Sequence, residues 1–266
     1  MKTIASERYA PTTEAAGYIN LPLLDAVEYF REWRTTLYKR VRVREVREAF
    51  PEVLGHLAPL ITGDSPREIL IPHGRDWTAY FDCNALGTDA SSPLGHASRT
   101  AKCQALAIRS SPQVNGVPGV RPQRWGVVQF EMFGPLKTDW LNQVRAITAG
   151  HNGSRWEFFE AGTAQEFEET DRYQARRVCD RFTPDMLERY CQALGVDPFN
   201  VDAYGPGATM IESTGYVMPE HLLGPELRHL EPLIETLPVE EPLTFTFAQA
   251  QKYYGIVPGE ADDIPW

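Results

Sequence analysis

The chain has 266 residues, of which 42% are hydrophobic and 23% are charged, and its formal net charge is −10. This length supports one large domain or about two smaller ones with a buried core, so the composition excludes a largely disordered chain. An acidic chain lacks the basic surface that binding to phosphate backbones or anionic membranes requires, so nucleic-acid and membrane partners are not expected.

The cysteine content and the absence of apolar runs indicate the compartment. Cys83, Cys103, Cys179 and Cys191 form no CxxC pair and have no zinc-ligand spacing. No segment approaches the ~18–20 apolar residues that span a bilayer, and the N-terminal residues lack the apolar run of a secretion signal. Unpaired cysteines without such a signal are typical of a reducing compartment, so we expect a soluble, cytoplasmic protein.

The N-terminal part of the chain predicts helices. Residues 1–17 are polar and predict a mobile N-terminus. Apolar residues at helical spacing then predict two helices, over 22–47 and 51–62. Val41 and Val43 alternate with arginines, so a short strand at that point is the competing interpretation.

The middle of the chain predicts strands. Segments 68–71 and 77–81 are rich in β-branched and aromatic residues and are separated by a Pro- and Gly-containing turn, which is typical of a hairpin. The sequence Asn152-Gly153 predicts the turn of a second hairpin. Further strands of the predicted sheet cover 103–108, 125–133, 144–148 and 156–159.

Residues from 173 onwards again predict helices. One helix is expected between Tyr173 and Phe182 from the apolar spacing. The next, over 184–194, is better marked, because Thr183 is a good N-cap and Gly195 stands where a C-cap glycine is expected. Residues 208–216 predict one more strand.

This order of elements predicts an α+β fold. A mainly antiparallel sheet over about 68–160 would be flanked by N-terminal and C-terminal helices, because segregated helices and strands are typical of that class. We predict a globular body over 18–210, in which 18–62 is either a helical subdomain or packs on the sheet. Residues 211–266 contain ten acidic and two basic residues and predict an acidic C-terminal segment.

Polar side chains cluster after the strand predicted at 77–81. Functional residues often lie on loops at strand ends, so the cluster predicts a pocket for a small ligand or an enzyme site. Its spacing resembles the start of a calcium loop, but Pro93 occupies the position of the bidentate glutamate, so no metal is predicted. The same side chains could instead cap backbone N–H groups of a helix starting near Pro93. The cluster consists of Asp82, Asn84, Thr88, Asp89, Ser91, Ser92 and His96, together with Asp76 and Trp77 at the start of the strand.

Other candidate catalytic and metal sites have weaker support. Cys83 could form a nucleophile–base pair with His73 or His96, but a cysteine is often only a small buried hydrophobe. His221 and His229 are separated by a Gly-Pro break that would not align them for metal binding. No phosphate-binding or dinucleotide-binding motif occurs, so no cofactor is predicted.

Two charged segments allow a binding or a structural interpretation. Residues 31–48 carry seven basic and three acidic residues, which predicts a solvated helix face, a contact with the acidic segment or a phosphate-binding stripe. Arg176 and Arg177 follow a run of glutamates and could bind a carboxylate or phosphate group. The structural alternative for them is an ion network within the chain, in which Arg176 pairs with Asp180 on a helix face.

Two hypotheses for the function follow. The first is a non-catalytic protein-interaction protein, such as an inhibitor, an immunity-type protein or an assembly accessory protein, which binds another protein through an acidic surface. It depends on the uneven charge and on the absence of local catalytic motifs. The alternative is an enzyme or small-ligand binder with a polar pocket around Asp82, Asn84, Asp89 and His96. Convergence of these four side chains in one pocket would favour the alternative.

Overall fold

The chain folds around one large antiparallel sheet, which confirms the predicted α+β class. The computed structural model describes residues 3–5, 7–63, 66–120, 122–135, 137, 138, 142–217 and 242–256. In these residues nine strands are hydrogen-bonded in the order β2-β10-β4-β5-β1-β6-β7-β8-β9, and every neighbouring pair is antiparallel. Two further strands, β3 and β11, form a separate short ladder.

The described strands and helices have the following bounds. The strands are β1 (Ala15–Ile19), β2 (Tyr38–Val46), β3 (Leu60–Ile61), β4 (Arg67–His73), β5 (Trp77–Asp82), β6 (Ala105–Ser111), β7 (Val127–Phe133), β8 (Gln143–His151), β9 (Trp156–Gly162), β10 (Ala208–Tyr216) and β11 (Thr244–Phe245). The α-helices are α1 (Leu23–Leu37), α2 (Ser91–Thr100), α3 (Pro184–Ala193) and α4 (Phe247–Tyr254).

The sheet buries apolar side chains on both of its faces. Helices α1 and α2 pack on one face, where Phe30 and Leu94 meet strand residues such as Leu70. The larger core lies on the other face, beneath α3 and several short 3-10 helices. Because successive strand residues point to opposite faces, Ile69 belongs to the larger core while Leu70 contacts α1. The central strands β1, β4 and β5 are therefore buried over most of their length.

Strand β1 lies at the centre of the sheet, although the sequence predicted a mobile N-terminus over 1–17. Residues 15–19 pair with β5 on one side and with β6 on the other, and all five are buried. A Cβ atom at Gly17 would stand 2.6 Å from Leu94 Cδ1 of α2, so only glycine lets α2 approach this strand. The sequence did not predict β1 because the strand is short and residues 15–18 include no β-branched residue.

The long helix predicted over 22–47 is wrong beyond residue 37. Helix α1 ends at Leu37, and β2 follows directly as an edge strand of the sheet. The competing interpretation, a strand at Val41 and Val43, is confirmed, and the strand is longer than that alternation indicated. The segment predicted as a second helix over 51–62 contains a 3-10 helix, Glu52–Leu57, and strand β3.

Most of the other predicted elements are present. The hairpins β4–β5 and β8–β9 and the strands β6, β7 and β10 occur where the sequence indicated. Helix α3 has the predicted N-cap, since the Thr183 side chain accepts a hydrogen bond from Met186 N, and Gly195 has a positive φ of 84°. The helix predicted between Tyr173 and Phe182 is wrong, because the structure forms two 3-10 helices there, Thr170–Gln174 and Val178–Asp180.

The predicted segment boundaries differ from the folded unit. Strand β10 continues through residue 216, and α4 packs through Ala250 against the larger core, so the sheet and the core both extend past residue 210. Helix α1 and strand β2 belong to the main sheet and its packing layer, so 18–62 does not form a separate subdomain. Most of the acidic segment, 218–241 and 257–266, lies outside the described residues.

Candidate functional site

A pocket opens where strands β5 and β10 end, on the sheet face that carries α1 and α2. Its volume is about 230 Å³. The C-terminal turn of α1, the loop after β5 and the first turn of α2 surround it. Residues lining the pocket are Trp33, Arg34, Leu37, Tyr38, Gly63, Tyr80, Asp82, Asn84, Asp89, Ser92, Pro93 and Tyr216. The volume is slightly below the ~300–1,000 Å³ of drug-sized ligand pockets, so it suits a small molecule.

Asp82 organises the loop that forms one wall of this pocket. Its carboxylate accepts hydrogen bonds from two backbone amides, Asn84 N at 2.9 Å and Asp89 N at 3.1 Å. Asn84 then accepts a hydrogen bond from Leu86 N with its side-chain oxygen. The capping role considered for these side chains is therefore present, and it gives the loop a fixed shape.

Burial also makes Asp82 an unusual carboxyl group. Desolvation raises its pKa to about 6, although the two backbone hydrogen bonds act in the opposite direction. Asp82 lies directly opposite Glu68 in the β4–β5 ladder, and both residues are about 1% exposed. Two buried carboxyl groups therefore face each other beside the pocket, and Asp82 changes charge close to neutral pH.

Arg34 is the cation of this region, and Glu68 already pairs with it. The Arg34 guanidinium donates to Glu68 Oε1, and this is its only hydrogen bond among the described residues. Tyr80 Oη lies 3.2 Å from Glu68 Oε1 and 3.4 Å from Asp82 Oδ2, so its one proton can reach either carboxylate. The second oxygen, Glu68 Oε2, is buried and has no hydrogen-bond partner in the described part of the chain.

Aromatic rings form the other wall and the mouth. Tyr38 and Tyr216 are cross-strand partners whose ring centroids are 5.4 Å apart, and Tyr216 is 45% exposed. Trp33 stacks on His96 at 4.6 Å, and the Arg34 guanidinium lies 4.2 Å from the Trp33 ring centre. His96 thus supports a pocket residue from behind without lining the pocket itself.

The charges of the pocket do not balance. Glu68 forms the salt bridge to Arg34, which acts on Asp82 only as a weaker, more distant charge, and neither Asp82 nor the exposed Asp89 forms a salt bridge with a described residue. At neutral pH the pocket therefore carries an excess of negative charge. An anionic ligand would meet repulsion there, and a cationic ligand would be attracted.

The structure brings together three of the predicted site residues. Asp82, Asn84 and Asp89 line one pocket, and His96 lies one layer behind it. Trp77 does not join them. It is a core residue at the opposite end of β5, about 17 Å along the strand from Asp82, and its partner across the ladder is His73.

Arg176 and Arg177 also lie away from the pocket. They are exposed and flank the 3-10 helices that pack near β8 and β9, at the opposite end of the sheet from β10. Arg177 pairs with Asp180 at 3.7 Å, whereas the sequence had predicted a pair between Arg176 and Asp180 on a helix. The pairing changed because this segment is not an α-helix.

A saturated ion network occupies this opposite end of the sheet, and it is built on Arg145 and not on Arg176 or Arg177. The side chain of Arg145 is 2% exposed and that of Glu168 is fully covered. Arg145 donates to Glu168, Glu160 and the carbonyl oxygens of residues 161 and 162, and Tyr173 Oη donates to Glu168 at 2.8 Å. Each guanidinium nitrogen of Arg145 has an acceptor.

The predicted Cys83–His pair does not form. Cys83 is buried in the larger core, and burial raises the pKa of its thiol to about 11, so it stays protonated at neutral pH. His73 accepts a hydrogen bond from Asp197 N, while His96 Nδ1 pairs with Tyr29 Oη at 2.6 Å. Neither histidine is bonded to the thiol.

The structure also bears on the metal candidates. In the described residues no group of three or more His, Cys, Asp or Glu side chains is placed to hold a metal ion. His221 and His229 lie outside the described residues. The partial calcium-loop spacing is explained by Asp82 and Asn84, which accept hydrogen bonds from backbone amides of their own loop.

Sequence reasoning missed Arg34, Glu68, Tyr80 and the aromatic mouth. A signal for part of this set exists, since the turn of the predicted 68–81 hairpin fixes the register that places Glu68 opposite Asp82. Two carboxylates facing each other within apolar strands would have indicated a special environment. Arg34 and the two tyrosines come from distant chain segments, and only the folded sheet brings them together.

Comparisons with known proteins add no identification. No protein-family model, curated protein or solved structure matches this chain. Within the described ranges, none of the helices combines the length and the apolar character needed to cross a bilayer.

Proposed function

We propose that this protein binds a small organic cation, an amine with an apolar or aromatic part, in the pocket between α1, α2 and the ends of β5 and β10. The observation that carries the proposal is the excess of carboxylate over free cation in a pocket with an aromatic mouth. Asp82 and Asp89 supply the negative charge, and Arg34 is already neutralised by Glu68.

The aromatic residues support the same ligand class. A cation within about 6 Å of a tyrosine or tryptophan ring is attracted by the negative face of the ring. Tyr38 and Tyr216 stand at the mouth, and Trp33 and Leu37 give the apolar contact that the rest of the ligand needs. The rigid loop held by Asp82 supplies a preformed wall, which lowers the ordering cost of binding.

Three aromatic probes of similar size separate the ligand classes. Benzylammonium and benzyl alcohol are nearly isosteric and differ in charge, and benzoate carries the opposite charge on a ring of the same size. We expect benzylammonium to raise the melting temperature and to give a measurable heat of binding, and benzoate to give neither. Equal binding of benzoate would contradict the proposal.

A matched pair of variants locates the site. Asp89→Asn removes one exposed carboxylate from the pocket, and we expect it to weaken benzylammonium binding by about fivefold, or about 1 kcal/mol. Asp76→Asn removes an exposed carboxylate, 71% accessible, at the far end of the β4–β5 hairpin and is the control. Equal effects of the two substitutions would show that only the net charge of the protein matters.

The interaction hypothesis based on an acidic surface stays a prediction. The acidic residues that motivate it lie mostly in 218–241 and 257–266, outside the described residues.

A further inference from the structure

Strand β2 forms one edge of the large sheet and carries a row of arginines. In the described part of the chain no strand pairs with its outer side, so every second residue has backbone N–H and C=O groups that point outward. Arg40, Arg42 and Arg44 lie on one face of this nine-residue strand. Arg40 and Arg42 are exposed and form no ion pair with any described residue.

The neighbouring strands already alternate in charge across this face. Arg67 of β4 lies opposite Glu212 of β10, and Glu212 lies opposite Arg42 of β2. Opposite charges that face each other across a ladder stabilise it, and like charges destabilise it. The series of positive, negative and positive side chains ends at the open edge, where a negative side chain would continue it.

The other face of β2 is apolar at its centre, between Lys39 and Glu45. Val41 and Val43 point towards the α1 side of the sheet, and Val43 remains 37% exposed. A strand added beside β2 would therefore meet arginines on one face and valines on the other. Its own side chains would best alternate between acidic and apolar residues.

From this pattern we propose that the β2 edge binds an extended acidic peptide segment of a partner protein by strand addition. The segment has carboxylates at alternate positions opposite Arg40 and Arg42, and apolar side chains between them, whereas Arg44 is already paired with Glu212 at 3.6 Å. Main-chain hydrogen bonds supply the affinity in this binding mode, and the alternate side chains supply the specificity. This surface is separate from the proposed amine pocket, so either proposal can fail alone.

The test uses the full chain and a fluorescently labelled peptide whose five central residues alternate glutamate and valine. We expect saturable binding by anisotropy. A peptide of the same composition, with its glutamates and valines in a non-alternating order, should bind at least about tenfold more weakly, because its side chains would point to the wrong faces. Methylation of alternate amide nitrogens should abolish binding, which loose ionic attraction would survive.

Charge reversal on the protein locates the surface. Arg42→Glu should weaken binding of the alternating peptide by roughly tenfold, and a peptide with lysine at its centre should recover most of that loss. Arg75→Glu is the matched control, since Arg75 is 95% exposed at the β4–β5 turn and should leave binding unchanged.

Three results would overturn the proposal. One is equal affinity for the alternating and non-alternating peptides. Another is tighter binding of a single-stranded oligonucleotide, abolished by Arg42→Glu, which would make the row a phosphate-binding stripe. A third is no peptide binding combined with self-association of an Arg40→Ser, Arg42→Ser variant, which would show that the arginines only protect an open edge.

Discussion

Two buried arginines, at opposite ends of the same sheet, have very different surroundings. Arg145 donates to two glutamates and two carbonyl oxygens, and its carboxylate partner Glu168 also accepts from Tyr173. Among the described residues, Arg34 has one acceptor, Glu68, whose second oxygen has no hydrogen-bond partner, and Arg34 lines a pocket. A satisfied network stabilises structure, whereas incomplete pairing beside a cavity is typical of a site that meets a ligand.

The largest expected effect on stability is at Arg145, in the saturated ion network. Arg145→Met should lower the free energy of unfolding by about 3–5 kcal/mol, because it leaves the covered carboxylate of Glu168 without its cation. Chemical denaturation of the variant and the unaltered protein measures this difference. Benzylammonium affinity should not change, and a loss of affinity without a loss of stability would show that the two ends are not independent.

The pH dependence of stability should show two opposed contributions. Burial raises the pKa of Asp82 from 3.8 to about 6, so its charged form disfavours the folded state. This contribution is most favourable below pH 4, and about 3 kcal/mol is lost as the pH rises to 6. Burial lowers the pKa of His73 from 6.5 to about 4, so its contribution is present above pH 6.5 and about 3 kcal/mol is lost as the pH falls to 4.

Variants separate these two slopes. Denaturation measured between pH 4 and 7 should show that Asp82→Asn lacks the loss of stability that accompanies a rise in pH. His73→Gln should lack the loss of stability that accompanies a fall in pH. Benzylammonium binding should strengthen by up to roughly tenfold between pH 5 and 7 as Asp82 ionises, and this gain should vanish in Asp82→Asn. A pH-independent affinity in the unaltered protein would contradict the role given to Asp82.

Arg34→Met should cost less than the change at Arg145. We expect about 2 kcal/mol, because the Glu68 carboxylate keeps the hydrogen bond from the Tyr80 hydroxyl. The variant should bind benzylammonium more tightly, since the pocket loses the positive charge of Arg34. Denaturation and calorimetry on the same sample test both statements, and a loss of stability equal to that of Arg145→Met would remove the contrast between the two ends.

The smallest expected effects come from two tyrosine hydroxyls. Tyr173→Phe removes a 2.8 Å hydrogen bond to the covered Glu168 and should cost about 1.5 kcal/mol. Tyr80→Phe removes longer contacts, 3.2 and 3.4 Å, and should cost about 0.5–1 kcal/mol. Thermal denaturation of the two variants side by side measures the difference. A larger loss of stability in Tyr80→Phe than in Tyr173→Phe would indicate that the hydrogen bonds beside the pocket are the stronger ones.

The sequence predicted much of the fold because local signals agreed with the tertiary structure. The cap at Thr183 and the turn at Asn152-Gly153 act within a few residues, so they could be read directly. Residues 38–46 were assigned to a helix because α1 runs into β2 without a loop. Strand β1 was missed because its small residues allow close packing against α2, and the sequence of β1 alone does not show that contact.

The candidate site was predicted in part for the same reason. Asp82, Asn84 and Asp89 lie within one loop, so their common position follows from local sequence. Trp77 was grouped with them wrongly, because it lies at the other end of β5, about 17 Å along the strand from Asp82. Arg34, Tyr38 and Tyr216 reach the pocket through the ordering of β2, β10 and β4, which pairs segments more than 100 residues apart.

The position of β1 has a practical consequence. Strands β5 and β6 do not pair with each other, so in the described part of the chain β1 alone joins the two halves of the sheet by ladder hydrogen bonds. A chain beginning at residue 20 would carry a slot one strand wide, and a synthetic peptide of residues 7–19 should fill it. The protein is thus a natural candidate for a split reporter, in which addition of one short fragment restores a complete sheet.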